Sequence, residues 1–172
     1  MTAKSSKTTH VNLVNHAYWN LDKVKKNIFN HELFINADYY LENDKHNIPT
    51  GKRLSVKNGQ FDYRNISNIG AKIEKKGSGF DENYIIKKNS SLVAKLISPR
   101  SKIQLSLYSD QHGVQFYSGQ YLRFTSKSKK LRPYQGLCLE TQNFPNSPNN
   151  SKFPSSLLKP GQTYRHNMKF KI

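Results

Sequence analysis

No stretch of this sequence sustains a 3.6-residue apolar period over three turns, whereas short apolar or alternating runs recur from one end to the other. They fall at 11–14, 32–35, 53–56, 83–86, 92–97, 103–108, 114–117, 136–141 and 163–172. Turn signals separate them: Asn58-Gly59, Asp110-Gln111-His112-Gly113 and Pro145-Asn146-Ser147-Pro148. A chain punctuated in this way buries its apolar residues on the faces of strands, so the expected class is all-β, an antiparallel β-sandwich. Ten Tyr and nine Phe suit half-buried pleated surfaces. Ile103, Leu105 and Leu107 alternate with Gln104, Ser106 and Tyr108, which predicts a strand with one buried face. No internal repeat or linker divides the 172 residues, a length that suits one domain with a true core.

Candidate chemistry begins at Glu140, which ends an extended apolar run just before a Pro- and Asn-rich turn. Strand alternation puts Leu137 and Leu139 on one side and Cys138 and Glu140 on the other, so the carboxylate shares its face with a small apolar neighbour. Such surroundings can tune a carboxyl group for proton transfer. The same residue taken alone also reads as a solvated strand end. His16 taken alone reads as a hydrogen-bonded structural histidine, and Asp81, following Gly79-Phe80, as a turn aspartate. His10, His31, His46, His112 and His166 show no metal-ligand spacing and are expected to be surface or structural residues.

The charge balance, 28 Lys and Arg against 11 Asp and Glu, gives a net +17. The basic residues are scattered, with short groups at Lys23-Lys25-Lys26, Lys75-Lys76, Lys87-Lys88 and Lys127-Lys129-Lys130-Arg132, and no nucleic-acid motif accompanies them. No specific nucleic-acid partner is expected, only salt-sensitive adhesion to polyanions. Cys138 is the single cysteine, which excludes an intrachain disulfide and a zinc site assembled from several cysteines. Neither an apolar leader nor a run of about 18 apolar residues is present, so no membrane partner is expected and the cytoplasm is the expected location.

The string GLCLETQNFPNSPN at 136–149 resembles the C-terminal signature of the aldose 1-epimerase, or galactose mutarotase, family, whose members carry a catalytic Glu in an LETQ motif. VNLVNHAYWNL at 11–21 is similar to the family's NLTNHxYFNL segment. Ile48-Pro49-Thr50-Gly51, Phe61-Asp62-Tyr63-Arg64, GFDENY at 79–84, GVQFYSG at 113–119 and LKPGQTY at 158–164 follow in the family's order. The resemblance runs from about Val11 to Ile172 and covers only the C-terminal half of a typical member.

That resemblance implies a partial version of the galactose mutarotase-like supersandwich over residues 11–172, behind a polar, basic lead at 1–10 that is an edge strand or disordered. By that resemblance the N-terminal part of the family fold is expected to be absent, and with it an Arg and a second His of the sugar site. A sandwich short of strands is expected to expose edges and part of an apolar face, favouring self-association or a complementing N-terminal chain. The implied function is an isomerase interconverting the α and β anomers of an aldohexose such as galactose or glucose by acid/base ring opening and closure. Glu140 matches the family's base, His16 its acid and Asp81 its substrate-binding carboxylate. No metal or organic cofactor is required. The alternative is a catalytically impaired remnant, or a carbohydrate-binding module of the same fold. Glu82 stands where the family commonly has His; Gln115 and Tyr117 lie in a well-matched strand, while Asp62 and Arg64 read as structural.

Overall fold

The alternating pattern is realised as two antiparallel sheets packed face to face, in a computed structural model that describes residues 1–88, 90–125 and 130–172. Of the basic groups noted above, Lys127 and Lys129 lie outside the described residues. In chain order the strands are β1 (Thr2–Ala3), β2 (Thr9–His10), β3 (Tyr18–Trp19), β4 (Glu32–Ile35), β5 (Ala37–Asn43), β6 (Pro49–Ser55) and β7 (Ser67–Asn68). Helix α1 (Ile69–Lys76) follows, then β8 (Asp81–Ile86), β9 (Leu92–Ser98), β10 (Ile103–Ser109), β11 (Gly113–Tyr117), β12 (Phe124–Thr125) and β13 (Lys130–Leu131). The chain ends with β14 (Leu137–Gln142), β15 (Leu157–Leu158), β16 (Tyr164–Arg165) and β17 (Met168–Lys171). One sheet has the order β17-β10-β9-β4-β7 and the other β3-β14-β11-β8-β5-β6; β1 with β16, β2 with β15, and β12 with β13 form two-stranded ribbons.

The core lies between the sheets. Leu33, Ile35, Leu96, Leu105 and Leu107 of the five-stranded sheet meet Tyr84, Val114, Phe116, Leu137 and Leu139 of the six-stranded sheet in one buried cluster. Phe116 stacks on Phe80 with ring centroids 5.2 Å apart and meets Tyr63 edge-on at 5.6 Å, an aromatic knot directly beneath β11. The outer edges are blunted by charge: Lys52 and Arg53 stand on β6, and Lys169 and Lys171 on β17.

Several local readings of the sequence are corrected. Ile103 is exposed and Ser106 buried, so 103–108 does not alternate cleanly. Ile103 opens its strand immediately after the turn closed by Lys102 N–H to the Ser98 carbonyl, and projects beyond the core. Segment 11–14 forms no strand, because its groups pair with loops: Val11 N–H donates to the Ser156 carbonyl, and His166 Nδ1 donates to the Leu13 carbonyl. The run 163–172 breaks at His166-Asn167, where the Asn167 N–H leaves the ladder for the Asp110 carboxylate. Helix α1 spans only eight residues, too short for a three-turn period to reveal. It is set by its ends: Asn68 accepts from Ala71 N–H as N-cap, and Gly77, at φ 72°, closes the C-terminus in the left-handed region.

Candidate active site

The outward face of the six-stranded sheet carries the polar residues that alternation turned away from the core. Register places Asp81, Tyr117 and Cys138 side by side across β8, β11 and β14, and next to them a second row of Asn83, Gln115 and Glu140. A cleft of about 360 Å³ opens over these rows, lined among others by His16, Asn43, Asp81, Gln115, Tyr117 and Glu140. The three residues singled out from the sequence, His16, Asp81 and Glu140, therefore share one cleft.

Glu140 arrives there as part of β14, whose residues are all buried. His16 arrives by a different route. It sits in the loop before β3, and two asparagines shape that loop. Asn15 Oδ1 accepts from Ala17 N–H, a turn that bends the chain at His16. Asn12 pins the loop to the end of β14: its Oδ1 accepts from Asn143 N–H at 2.9 Å and its Nδ2 donates to the Asn143 carbonyl at 3.2 Å. Strand β3 then pairs Tyr18 with Cys138, and the Tyr18 ring lies 5.3 Å from the His16 ring.

The result is a short chain of polar contacts. His16 Nε2 lies 3.2 Å from Glu140 Oε1, and His16 Nδ1 lies 3.4 Å from Cys138 Sγ. The two partners differ in access: the Glu140 side chain is 9% exposed, that of His16 53%. Burial pushes the Glu140 carboxyl above the ordinary carboxylate range, nearby His16 opposes that rise and Asp81 adds to it. Burial also pushes the Tyr18 hydroxyl up to about 12, so it stays a neutral donor at physiological pH.

Asp81 is fixed from two sides. Gln115 Nε2 donates to its Oδ1 at 2.8 Å, and Asn43 Nδ2 donates to its backbone carbonyl at 3.3 Å. Both amides are thereby oriented, because the groups they face can only accept. Glu82 points to the opposite face: it pairs with Lys76 Nζ at 3.3 Å and its Oε2 accepts from Asp81 N–H at 2.7 Å. It shapes Asp81 through the backbone and does not line the cleft. Asp62 and Arg64 form a bidentate pair remote from the cleft lining.

Sequence reasoning assigned no role to Asn12, Tyr18, Asn43 or Cys138. Tyr18 lies within the matched 11–21 segment, and the alternation of β14 placed Cys138 on the same face as Glu140. Asn12 and Asn43 carry no such signal, since each acts through a contact distant in sequence. Of the remaining histidines, His31 is buried and its Nε2 accepts from Leu21 N–H, while His166 is buried against the Thr141 hydroxyl at 2.9 Å.

A family model described as aldose 1-epimerase matches residues 1–171. The chain is 42% identical to a galactose mutarotase of Mus musculus over 99% of its own length and 52% of that protein's. It is 34% identical to an aldose 1-epimerase of Escherichia coli K12, over 94% of this chain and 50% of the other. Among solved structures, an aldose epimerase homologue from C. elegans superposes with a TM-score of 0.90 at 28% identity, covering 99% of this chain and 54% of that one. A galactose 1-epimerase from Lactobacillus acidophilus gives 0.81 at 26% identity, covering 99% and 51%. The chain thus spans about half the length of the proteins it matches.

Proposed function

The chain belongs to the aldose 1-epimerase family, and from that premise we propose that its cleft opens and recloses the hemiacetal ring of an aldohexose such as galactose or glucose. The observation that carries this reading is the 3.2 Å contact between His16 Nε2 and Glu140 Oε1 inside a polar cleft. The hydroxyl oxygen O1 and the ring oxygen O5 of a cyclic sugar are bonded to the same carbon. An acid and a base that serve both must therefore stand almost side by side, as these do.

In the proposed step Glu140 takes the proton of the O1 hydroxyl while protonated His16 gives one to O5; the C1–O5 bond breaks and C1 becomes an aldehyde carbon. Rotation about C1–C2 presents the other face of the carbonyl. Ring closure runs the same transfers backwards, with Glu140 returning its proton to O1 and His16 recovering the one on O5. The buried carboxylate suits the base, since its raised proton affinity makes it a stronger acceptor at neutral pH. Asp81, held by Gln115, accepts hydrogen bonds from sugar hydroxyls, and Gln115 and Tyr117 border the same space. No step calls on a group other than these side chains.

A second reading, a sugar-binding module without turnover, is favoured by the 53% exposure of the proposed acid, which is open to water on one side. The two readings separate in a pH–rate profile of galactose mutarotation followed by polarimetry. A base acts deprotonated, so the rate falls as pH drops through the Glu140 pKa. Because burial raises that pKa, the acid limb is expected above the ordinary carboxylate range of about 4.3. A protein-dependent rate that stays flat to below pH 4 would exclude Glu140 as the base, and sugar binding with no protein-dependent rate at any pH would establish the module.

A further inference from the structure

We propose that His16, Cys138 and Glu140 together form a binding site for a thiophilic divalent cation, Zn²⁺ in particular, and that its occupation shuts the acid–base pair. One potential ligand atom from each of the three lies within 4.8 Å of the others. Among the described residues no other group of three such side chains comes together. The site itself stands on this geometry; only its effect on turnover rests on the function proposed above.

The spacing comes within reach of zinc once the imidazole turns. With Zn–S near 2.3 Å and Zn–N or Zn–O near 2.0–2.1 Å, tetrahedral ligand atoms sit about 3.3–3.6 Å apart. Cys138 Sγ and His16 Nδ1 are 3.4 Å apart, and His16 Nε2 and Glu140 Oε1 3.2 Å. At present the imidazole lies between sulfur and carboxylate and offers a different nitrogen to each, whereas one ion takes only one of them. The ring must turn, and His16, half exposed and on a loop, is the member of the trio with room to do so. Cys138 and Glu140 are fixed two residues apart on one face of β14. The turn uncovers the Cys138 sulfur, which is buried beside the ring.

Sulfur, imidazole nitrogen and a single carboxylate make a mixed donor set that favours zinc over magnesium or calcium, which demand several oxygens. Three protein ligands leave a fourth position for water. On binding, the ion replaces the thiol hydrogen of Cys138, and one proton passes to solvent. The lone pair with which Glu140 takes a proton is then engaged, and an imidazole bound to the ion through either nitrogen is no longer the protonated form that gives one. Metal and sugar turnover are mutually exclusive, so zinc acts as a reversible off-switch.

The test is titration of the whole chain with Co²⁺, a spectroscopic stand-in for Zn²⁺. One equivalent is expected to produce a sulfur-to-cobalt charge-transfer band in the near ultraviolet, displaced by Zn²⁺, lost in C138S and C138A, and weakened at least tenfold in affinity in H16A. Far-UV circular dichroism establishes that each variant is folded; two replacements at Cys138 guard against one that is not. In parallel, Zn²⁺ should slow wild-type galactose mutarotation competitively with galactose, with full recovery on adding EDTA. The site is overturned if no band forms, or if Co²⁺ binds the Cys138 variants as tightly as wild type. The off-switch is overturned if bound Zn²⁺ leaves the rate unchanged or raises it. A chain that gives the cobalt band but shows no mutarotation in the absence of metal contradicts the proposed function and the off-switch while the site stands.

Discussion

Glu140→Gln is expected to lower the protein-dependent rate of α-D-galactose mutarotation by on the order of 10²–10⁴-fold, the usual loss when a positioned general base is removed. Gln has nearly the same shape and still presents a carbonyl oxygen toward His16 Nε2, so the cleft keeps its form while the proposed proton acceptor is lost. Buffer and free carboxylates also catalyse this reaction, so the rate is measured in freshly dissolved sugar with the buffer contribution subtracted. Sugar affinity should change far less than rate, because Asp81 and its Gln115 clamp are untouched. A variant that retains the wild-type rate would remove Glu140 from the mechanism, whatever role His16 then kept.

Phe116→Ala carries the second large effect, on stability. Phe116 is fully buried on the core side of β11, stacked on Phe80 and met edge-on by Tyr63. Truncation leaves a cavity that the paired strands on either side, β8 and β14, cannot close, and buried Phe→Ala changes of this kind cost about 3–5 kcal/mol. Urea denaturation followed through the fluorescence of Trp19, the single tryptophan, measures the loss. The flanking residues Gln115 and Tyr117 face the cleft from the same strand, so the substitution should also loosen the Asp81–Gln115 contact. A cost below about 1 kcal/mol would mean that β11 is not held from beneath by this aromatic knot.

The all-β class was legible because alternation is a local property: Leu137, Cys138, Leu139 and Glu140 alternate between the core side and the cleft side with no reference to the rest of the chain. Where that rule failed, a long-range or boundary effect won. Ile103 alternates correctly in sequence but lies past the edge of the core. Asn167 belongs to an apolar-rich run yet gives its N–H to Asp110, so a single expected strand becomes two. Helix α1 was missed because it is a two-turn element specified by caps at Asn68 and Gly77, which no apolar period announces.

The candidate site divides in the same way. Glu140, His16 and Asp81 were singled out by motif, and alternation alone accounts for the sides of the sheet that Cys138 and Glu140 occupy. Their meeting was not legible, since it depends on Asn12 pinning the 11–16 loop to Asn143 and on the pairing of Tyr18 with Cys138. The position of Glu82 shows the limit of reading by motif alone. It adjoins Asp81 in a site motif, but alternation sends its side chain to Lys76 on the other face.

The most direct test of the proposed acid–base chemistry is exchange spectroscopy on the anomeric protons of galactose at equilibrium, with the whole chain folded and metal-free. The account predicts that the chain raises the exchange rate between the α and β signals in proportion to its concentration, and that Glu140→Gln abolishes the increase. Anomeric exchange equal to that of buffer, from a folded chain that nonetheless binds galactose, would contradict it and leave a sugar-binding module.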